Sequence, residues 1–89
     1  MRFEWDPKKA ARNRRKHGVS FEEALTVFYD ALAVTFEDAR YSAAETRLVT
    51  VGYSARGRLL VLCHTERRRA LRIISARPAT AHEKKNHEA

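Results

Sequence analysis

Apolar positions recur along this chain with two different periods, and the change falls near Asp30. Before it, residues 2–5 can form a short strand. Asp6 offers an N-cap side chain, and Pro7 suits the first helical position, where its missing N–H costs nothing. A helix over about 7–17 follows and stops at Gly18, a natural residue just past a helix end. Its apolar stripe is thin, Ala10 and Ala11, so the stems of long cationic side chains must supply part of the packing. Ser20-Phe21-Glu22-Glu23 reads as a capping box. Phe21, Ala24, Leu25 and Phe28 then recur at helical spacing, which predicts a second helix over 21–29 docked on the core.

Beyond Asp30 the period becomes two. Residues 33–37 read as a short edge strand and 41–45 as a polar loop. Residues 46–53 and 58–65 are β-rich and joined by Ser54-Ala55-Arg56-Gly57, a good hairpin turn. A second hairpin through Glu66-Arg67-Arg68 leads to a strand over 70–76, which Pro78 ends. Residues 79–88 form a short polar helix. Two N-terminal helices, an antiparallel meander and a terminal helix are segregated elements, so the class is α+β. Helices packed on one face would leave the other face of the meander open. In the last strand, strict alternation puts Arg72, Ile74 and Ala76 on one side and Ile73, Ser75 and Arg77 on the other.

The 89 residues make a single domain, 1–89, because no second core can be built from what remains. A composition 44% apolar and 9% aromatic is that of a globular chain. No apolar run approaches the roughly 20 residues that a membrane span needs. Cys63 cannot form an internal disulfide; it reads as a small buried hydrophobe, and the chain as cytoplasmic.

Charge narrows the partners. Eighteen Lys and Arg against eleven Asp and Glu give +7. Lys8, Lys9, Arg12, Arg14, Arg15 and Lys16 crowd the first helix, and Arg67, Arg68 and Arg69 form a second block. Such blocks predict affinity for a polyanion or an acidic protein. Residues 7–29 could suggest a helix-turn-helix, but Glu22 and Glu23 near the start of the second helix would meet phosphates of their own sign.

Several machines are missing from the sequence. There is no Gly-rich phosphate loop, no zinc spacing and no carboxylate cluster for a two-metal site, so neither metal nor cofactor is expected. Cutting RNA without metal needs a base for the 2′-hydroxyl, an acid for the leaving 5′-oxygen, and fixed positive charge on the transition state. Glu45, Arg47, His64, Arg67, Arg72 and Arg77 lie on or beside the strands and have those chemistries. Glu45 and Arg47 form either a surface ion pair or a phosphate clamp. Arg77 either pairs with Glu83 or meets a ligand, and Arg72 must be paired or open onto the ligand face. His17 either caps its helix or serves as acid beside Lys16. His64 either packs in the core or touches RNA. Trp5 is a core anchor or a stacking platform, and Tyr53 a base-stacking or merely exposed ring.

Three segments carry a resemblance: Phe3-Glu4-Trp5-Asp6-Pro7, Lys16-His17-Gly18-Val19-Ser20-Phe21-Glu22-Glu23-Ala24, and Arg72-Ile73-Ile74-Ser75-Ala76-Arg77. Together they resemble the BrnT family, small toxins of bacterial type II toxin–antitoxin pairs. The resemblance implies a RelE-like small ribonuclease fold and a metal-independent endoribonuclease that stops translation. It also implies a BrnA-like ribbon-helix-helix antitoxin, through which alone operator DNA would be bound. The E-x-R of Glu45 and Arg47 matches the family pattern, and the Lys16–Phe21 match favours His17. The candidate catalytic set is then Glu45, Arg47, Arg72, Arg77 and His17, and the RNA-binding set Lys9, Lys16, His64 and Arg67. Two positions depart from the pattern: Pro78, where a basic residue is usual, and His87, where an aromatic hydroxyl is common. The alternative is a basic, non-enzymatic module acting as co-repressor in a DNA-binding complex.

Overall fold

A computed structural model describes residues 2–38 and 46–89 of the chain. Its elements run β1 (Arg2–Glu4), α1 (Pro7–His17), α2 (Phe21–Leu25), a 3-10 segment (Thr26–Tyr29), β2 (Val34–Glu37), β3 (Leu48–Tyr53), β4 (Leu59–Arg67), β5 (Ala70–Pro78) and α3 (Ala81–Glu88). The class is α+β, as the change of period implies. Local chemistry sets the helix ends. Asp6 accepts from the Lys8 N–H at 2.8 Å, and Gly18, at φ 68°, donates its N–H to the Arg14 carbonyl at 2.9 Å. The second helix is shorter than its apolar spacing predicts. Thr26 Oγ1 donates to the Glu23 carbonyl at 2.6 Å, competing with the backbone ladder, and the chain tightens into the 3-10 segment from there.

The five strands order as β1-β5-β4-β3-β2. β2 to β5 form the expected antiparallel meander. β1 adds to β5 in parallel, pairing Glu4 with Arg72, so the sheet is mixed. The connection a parallel pair requires runs here through both helices and the three other strands. Val19, Phe21, Ala24 and Val27 press onto Leu60, Leu62, Leu71, Ile73 and Ala76 to make the core. Gly52 lies where β3 passes under the 3-10 segment. A Cβ built there would stand 2.8 Å from that of Ala33 and 2.9 Å from Val27 Cγ1, so only glycine fits.

Two features overturn simple alternation. First, Cys63 pairs with Ser75 and His64 with Ile73, which leaves Ile74 as an extra residue in a β-bulge. Arg72 lies opposite Thr65 and Arg77 opposite Val61. Thr65 and Val61 are four residues apart on one regular strand, so both arginines fall on the same face of the sheet. The alternation read from the sequence separated them. Second, the face away from the core is not left bare. Arg77 binds Glu83, and Tyr53 Oη donates to Glu88 Oε1 at 3.0 Å, which lays α3 across part of that outer face.

Beyond Glu4 the edge of β5 is closed by a side chain. Asn13 Nδ2 donates to the Ala76 carbonyl at 2.8 Å and to the Val19 carbonyl at 3.0 Å, while Asn13 Oδ1 accepts from the Ala76 N–H at 3.1 Å. One buried amide thus replaces a neighbouring strand and fixes α1 against β5. Glu23, also buried, plays a comparable part for α2. It accepts from Ser54 Oγ at 2.7 Å and from Arg58 Nε at 2.9 Å, and the Arg58 bonds hold its carboxyl below the usual range.

Candidate active site

The outer face carries a hollow of about 420 Å³, floored by Val49, Val51, Val61 and Cys63 and edged by Arg77 and Glu83. Arg77 reaches it from the end of β5. Its Nη1 donates to Glu83 Oε1 at 2.8 Å and its Nη2 to Glu83 Oε2 at 2.9 Å, a two-pronged pairing that matches a planar cation to a planar anion. A capping box holds the carboxylate from the other side: Thr80 N–H donates to Glu83 Oε1 at 2.8 Å, and Glu83 N–H to Thr80 Oγ1 at 3.1 Å. With Arg77 as the largest influence, the Glu83 carboxyl falls to about 2. A guanidinium on the outer face is thus already engaged by an anion.

Arg72 follows the same pattern more loosely. Its Nη1 lies 3.2 Å from Glu4 Oε2, and both groups are only partly buried. Arg47 immediately precedes β3, where its carbonyl accepts from the Asp38 N–H at 2.8 Å. Arg67 is exposed at the end of β4. Glu45 lies outside the described residues.

A second depression, about 240 Å³, runs between α1 and β5. Lys9, Arg12, Lys16 and His17 line it from the helix, and Ile74 and Ser75 from the bulge. Spacings of three, four, seven and eight put these side chains on one helical face. Ser75 borders both hollows, so the cationic groove of α1 and the outer-face hollow adjoin there.

His64 belongs to neither. It is 2% exposed on the core side, its Nε2 2.7 Å from Thr50 Oγ1 and its ring edge-on to Phe28 at 5.0 Å. Burial pulls its pKa down to about 4, so the ring is neutral. Of the two readings of His64, the packing one fits this placement: alternation with Leu60 and Leu62 along β4 turns the ring inward. Trp5 packs edge-on to Phe21 at 5.9 Å as a core anchor, and Tyr53 faces α3, 6.0 Å from the His87 ring. His87 and Pro78, the two departures, both lie near this helix.

Sequence reasoning missed Arg12, Ser75 and the acid Glu4 that partners Arg72. The bulge itself left a trace. Leu71 and Ile73 are core positions with odd numbers, yet Ala76 is even, and that slip of phase marks one inserted residue.

The family model described as "Ribonuclease toxin, BrnT, of type II toxin-antitoxin system" matches residues 5–83. The chain belongs to the BrnT family. Its fold is similar to the crystal structure of the Brucella abortus ribonuclease toxin BrnT, with a TM-score of 0.70 and 25% identity over 90% of this chain and 97% of that one. A comparison with curated proteins finds no match. BrnT membership makes the chain a ribonuclease toxin of a type II toxin–antitoxin system, and such a toxin implies an antitoxin partner. Lys9, the arginines of β5 and Glu83 all lie inside the matched stretch. No helix among the described residues is long and apolar enough to cross a membrane.

Proposed function

We propose that the outer face is the RNA-cleaving site of this BrnT chain and that it works without metal, by attack of the 2′-hydroxyl on the adjacent phosphorus. The new P–O2′ bond forms as the P–O5′ bond breaks, leaving a cyclic phosphate and a free 5′-hydroxyl. Arg72, Arg77 and Arg47 hold the phosphate and its developing charge, a contribution of several kcal/mol for fixed cations in a water-poor site. Among the described residues no cluster of three or more His, Cys, Asp or Glu stands ready for a metal. One base must take the 2′-hydroxyl proton and one acid must protonate the leaving oxygen. His17, beside the groove that meets the hollow at Ser75, is the candidate acid, and Glu45 the candidate base. Lys9, Lys16 and Arg67 guide the strand, with Arg12 added from the groove.

The observation that carries this reading is the bulge at Ile74, which brings Arg72 and Arg77 to one face. Cleaved transcripts would stop translation. A BrnA-like ribbon-helix-helix antitoxin would neutralise the toxin by covering this face and would carry the complex to operator DNA. The fold would be a small variant of the RelE-like ribonuclease arrangement.

The pairing of both arginines with acids favours a second reading, a basic module that binds and never cuts. One experiment separates them. Purified chain is incubated with RNA in EDTA, alongside Arg72→Ala and Arg77→Ala. Cleavage by the parent, reduced about 10²-fold or more in the variants, supports the enzyme. RNA left intact by folded parent protein supports the module, and variants as active as the parent refute the site.

A further inference from the structure

The turn between β4 and β5 is built from the wrong residues for its shape. Arg67 pairs with Ala70, leaving a two-residue loop, Arg68 and Arg69, at φ 50° and 66°. Positive φ at both centres is the pattern of a type I′ hairpin, a position usually filled by Asn-Gly, Asp-Gly or Gly-Gly, which reach it without a Cβ clash. Two arginines here place long cations where glycine would be the unstrained choice. Strained residues persist where something else compensates for them.

The register says what gathers there. β1 pairs Arg2 with Ala70, the residue just after the turn. Arg2, Arg67 and Arg68 therefore border one open depression of about 610 Å³, although Arg2 stands at the opposite end of the sequence. Glu4 also borders it, with its carboxylate turned to Arg72 at 3.2 Å. Arg2, Arg68 and Arg69 are exposed and have no acid within ion-pair reach among the described residues. Converging like charges raise one another's energy unless an anion lies between them. At a strand rise of about 3.3 Å per residue, this cluster continues the line from Arg77 through Arg72 along β5.

We propose that Arg2 and Arg68 at this depression, with Arg69 beside them in the turn, form a second phosphate-binding site that grips the backbone of single-stranded RNA beyond the cleaved linkage. The site rests on the reading of the outer face as an RNA-cleaving surface and deepens it. It is a binding site and holds no reacting atom, so it sets affinity rather than the chemical rate. It reads no base.

The turn geometry supplies a clean test. In the double variant Arg68→Asn, Arg69→Gly the loop gains the residues its shape prefers, so folding is kept while two charges go. The control, Arg14→Gln with Arg15→Gln, removes the same charge from residues of α1 that do not line its groove. Binding of a fluorescein-labelled single-stranded RNA is followed through a salt titration, together with single-turnover cleavage and the melting temperature. The expected result is a melting temperature equal to or above the parent's, affinity about tenfold weaker, and a log–log salt slope shallower by about 1.4, since each lost single-strand phosphate contact is worth about 0.7. The cleavage rate at saturating RNA stays the same, and the control keeps most of the parent's affinity. Equal losses in turn variant and control would reduce the effect to net charge and overturn the site. So would an unchanged salt slope in a parent that cuts RNA. A folded parent that neither binds nor cuts RNA would sink the outer-face reading and this site with it.

Discussion

Arg77 and Glu83 meet through two parallel hydrogen bonds, 2.8 and 2.9 Å, across the gap between β5 and α3. A carboxylate held this way occupies the place a phosphate oxygen pair would take on the same guanidinium. Because its pKa lies at about 2, Glu83 stays ionised throughout the neutral range and would compete with RNA at the proposed site at every physiological pH. Glu83→Gln is expected to release Arg77 and lower the KM for RNA several-fold, with cleavage kinetics as the measurement. Loss of the charged cap costs on the order of 1 kcal/mol of stability. A KM that rises would show Glu83 orienting Arg77 instead.

The same pair has an acid signature. A carboxyl lowered in the folded state stabilises fully above its unfolded value near 4.5, and that contribution is lost as pH falls toward about 2. Denaturation followed between pH 5 and pH 2 should show a steeper decline for the parent than for Glu83→Gln.

His64 gives a dependence nearer neutrality. Its folded pKa of about 4 lies below the unfolded value of 6.5, because burial disfavours the charged ring. The unfolded chain therefore takes up the proton first. Stability is complete above about pH 6.5 and falls as pH drops toward 4, by about 2 kcal/mol between pH 7 and pH 5. Urea titrations at those two values test it, and His64→Leu should abolish that part of the difference. RNA affinity at pH 7 should be the same for both.

Asn13 makes three bonds to backbone groups of Val19 and Ala76. Asn13→Ala would strand those buried groups, at a cost on the order of 3 kcal/mol. Asn13→Asp keeps the acceptor for the Ala76 N–H but sets a carboxylate against two carbonyls, so it should destabilise as much or more. A variant within 0.5 kcal/mol of the parent, about the scale of an ordinary surface change, would contradict the edge-closing role.

Gly52→Ala tests the tight crossing beneath the 3-10 segment. With Ala33 and Val27 nearer than 3.0 Å to the added methyl, the expected loss is about 1–3 kcal/mol, read as a lower melting temperature.

Much of this architecture was legible because local signals agreed. Asp6-Pro7 and Gly18 bracket α1 and Ser20 opens α2, through the side chains of Asp6 and Ser20 and the backbone N–H of Gly18, while Pro78 marks the end of β5 ahead of α3. The meander followed from period two and from turn residues. What escaped depended on long-range pairing. Nothing near Asn13 announces Ala76, sixty-three residues away. The parallel docking of β1 on β5 and the position of α3 over the outer face are also tertiary choices, set by which surfaces can be covered at once. For the site, the arginines were identifiable by type but not by side, because alternation fails where Ile74 is inserted.

That insertion makes the count of residues between Arg72 and Arg77 matter as much as their identity. Five steps along an unbroken pleat would aim the two guanidiniums in opposite directions, and only the added kink returns them to a common side. Exchanging Ile74 for another hydrophobe leaves the tally intact. A strand that absorbed Ile74 into regular pairing would invert everything downstream, turning Arg77 toward the oily interior and Ala76 toward water. The proposed cleaving face would then be dismantled without touching a single one of its charged groups.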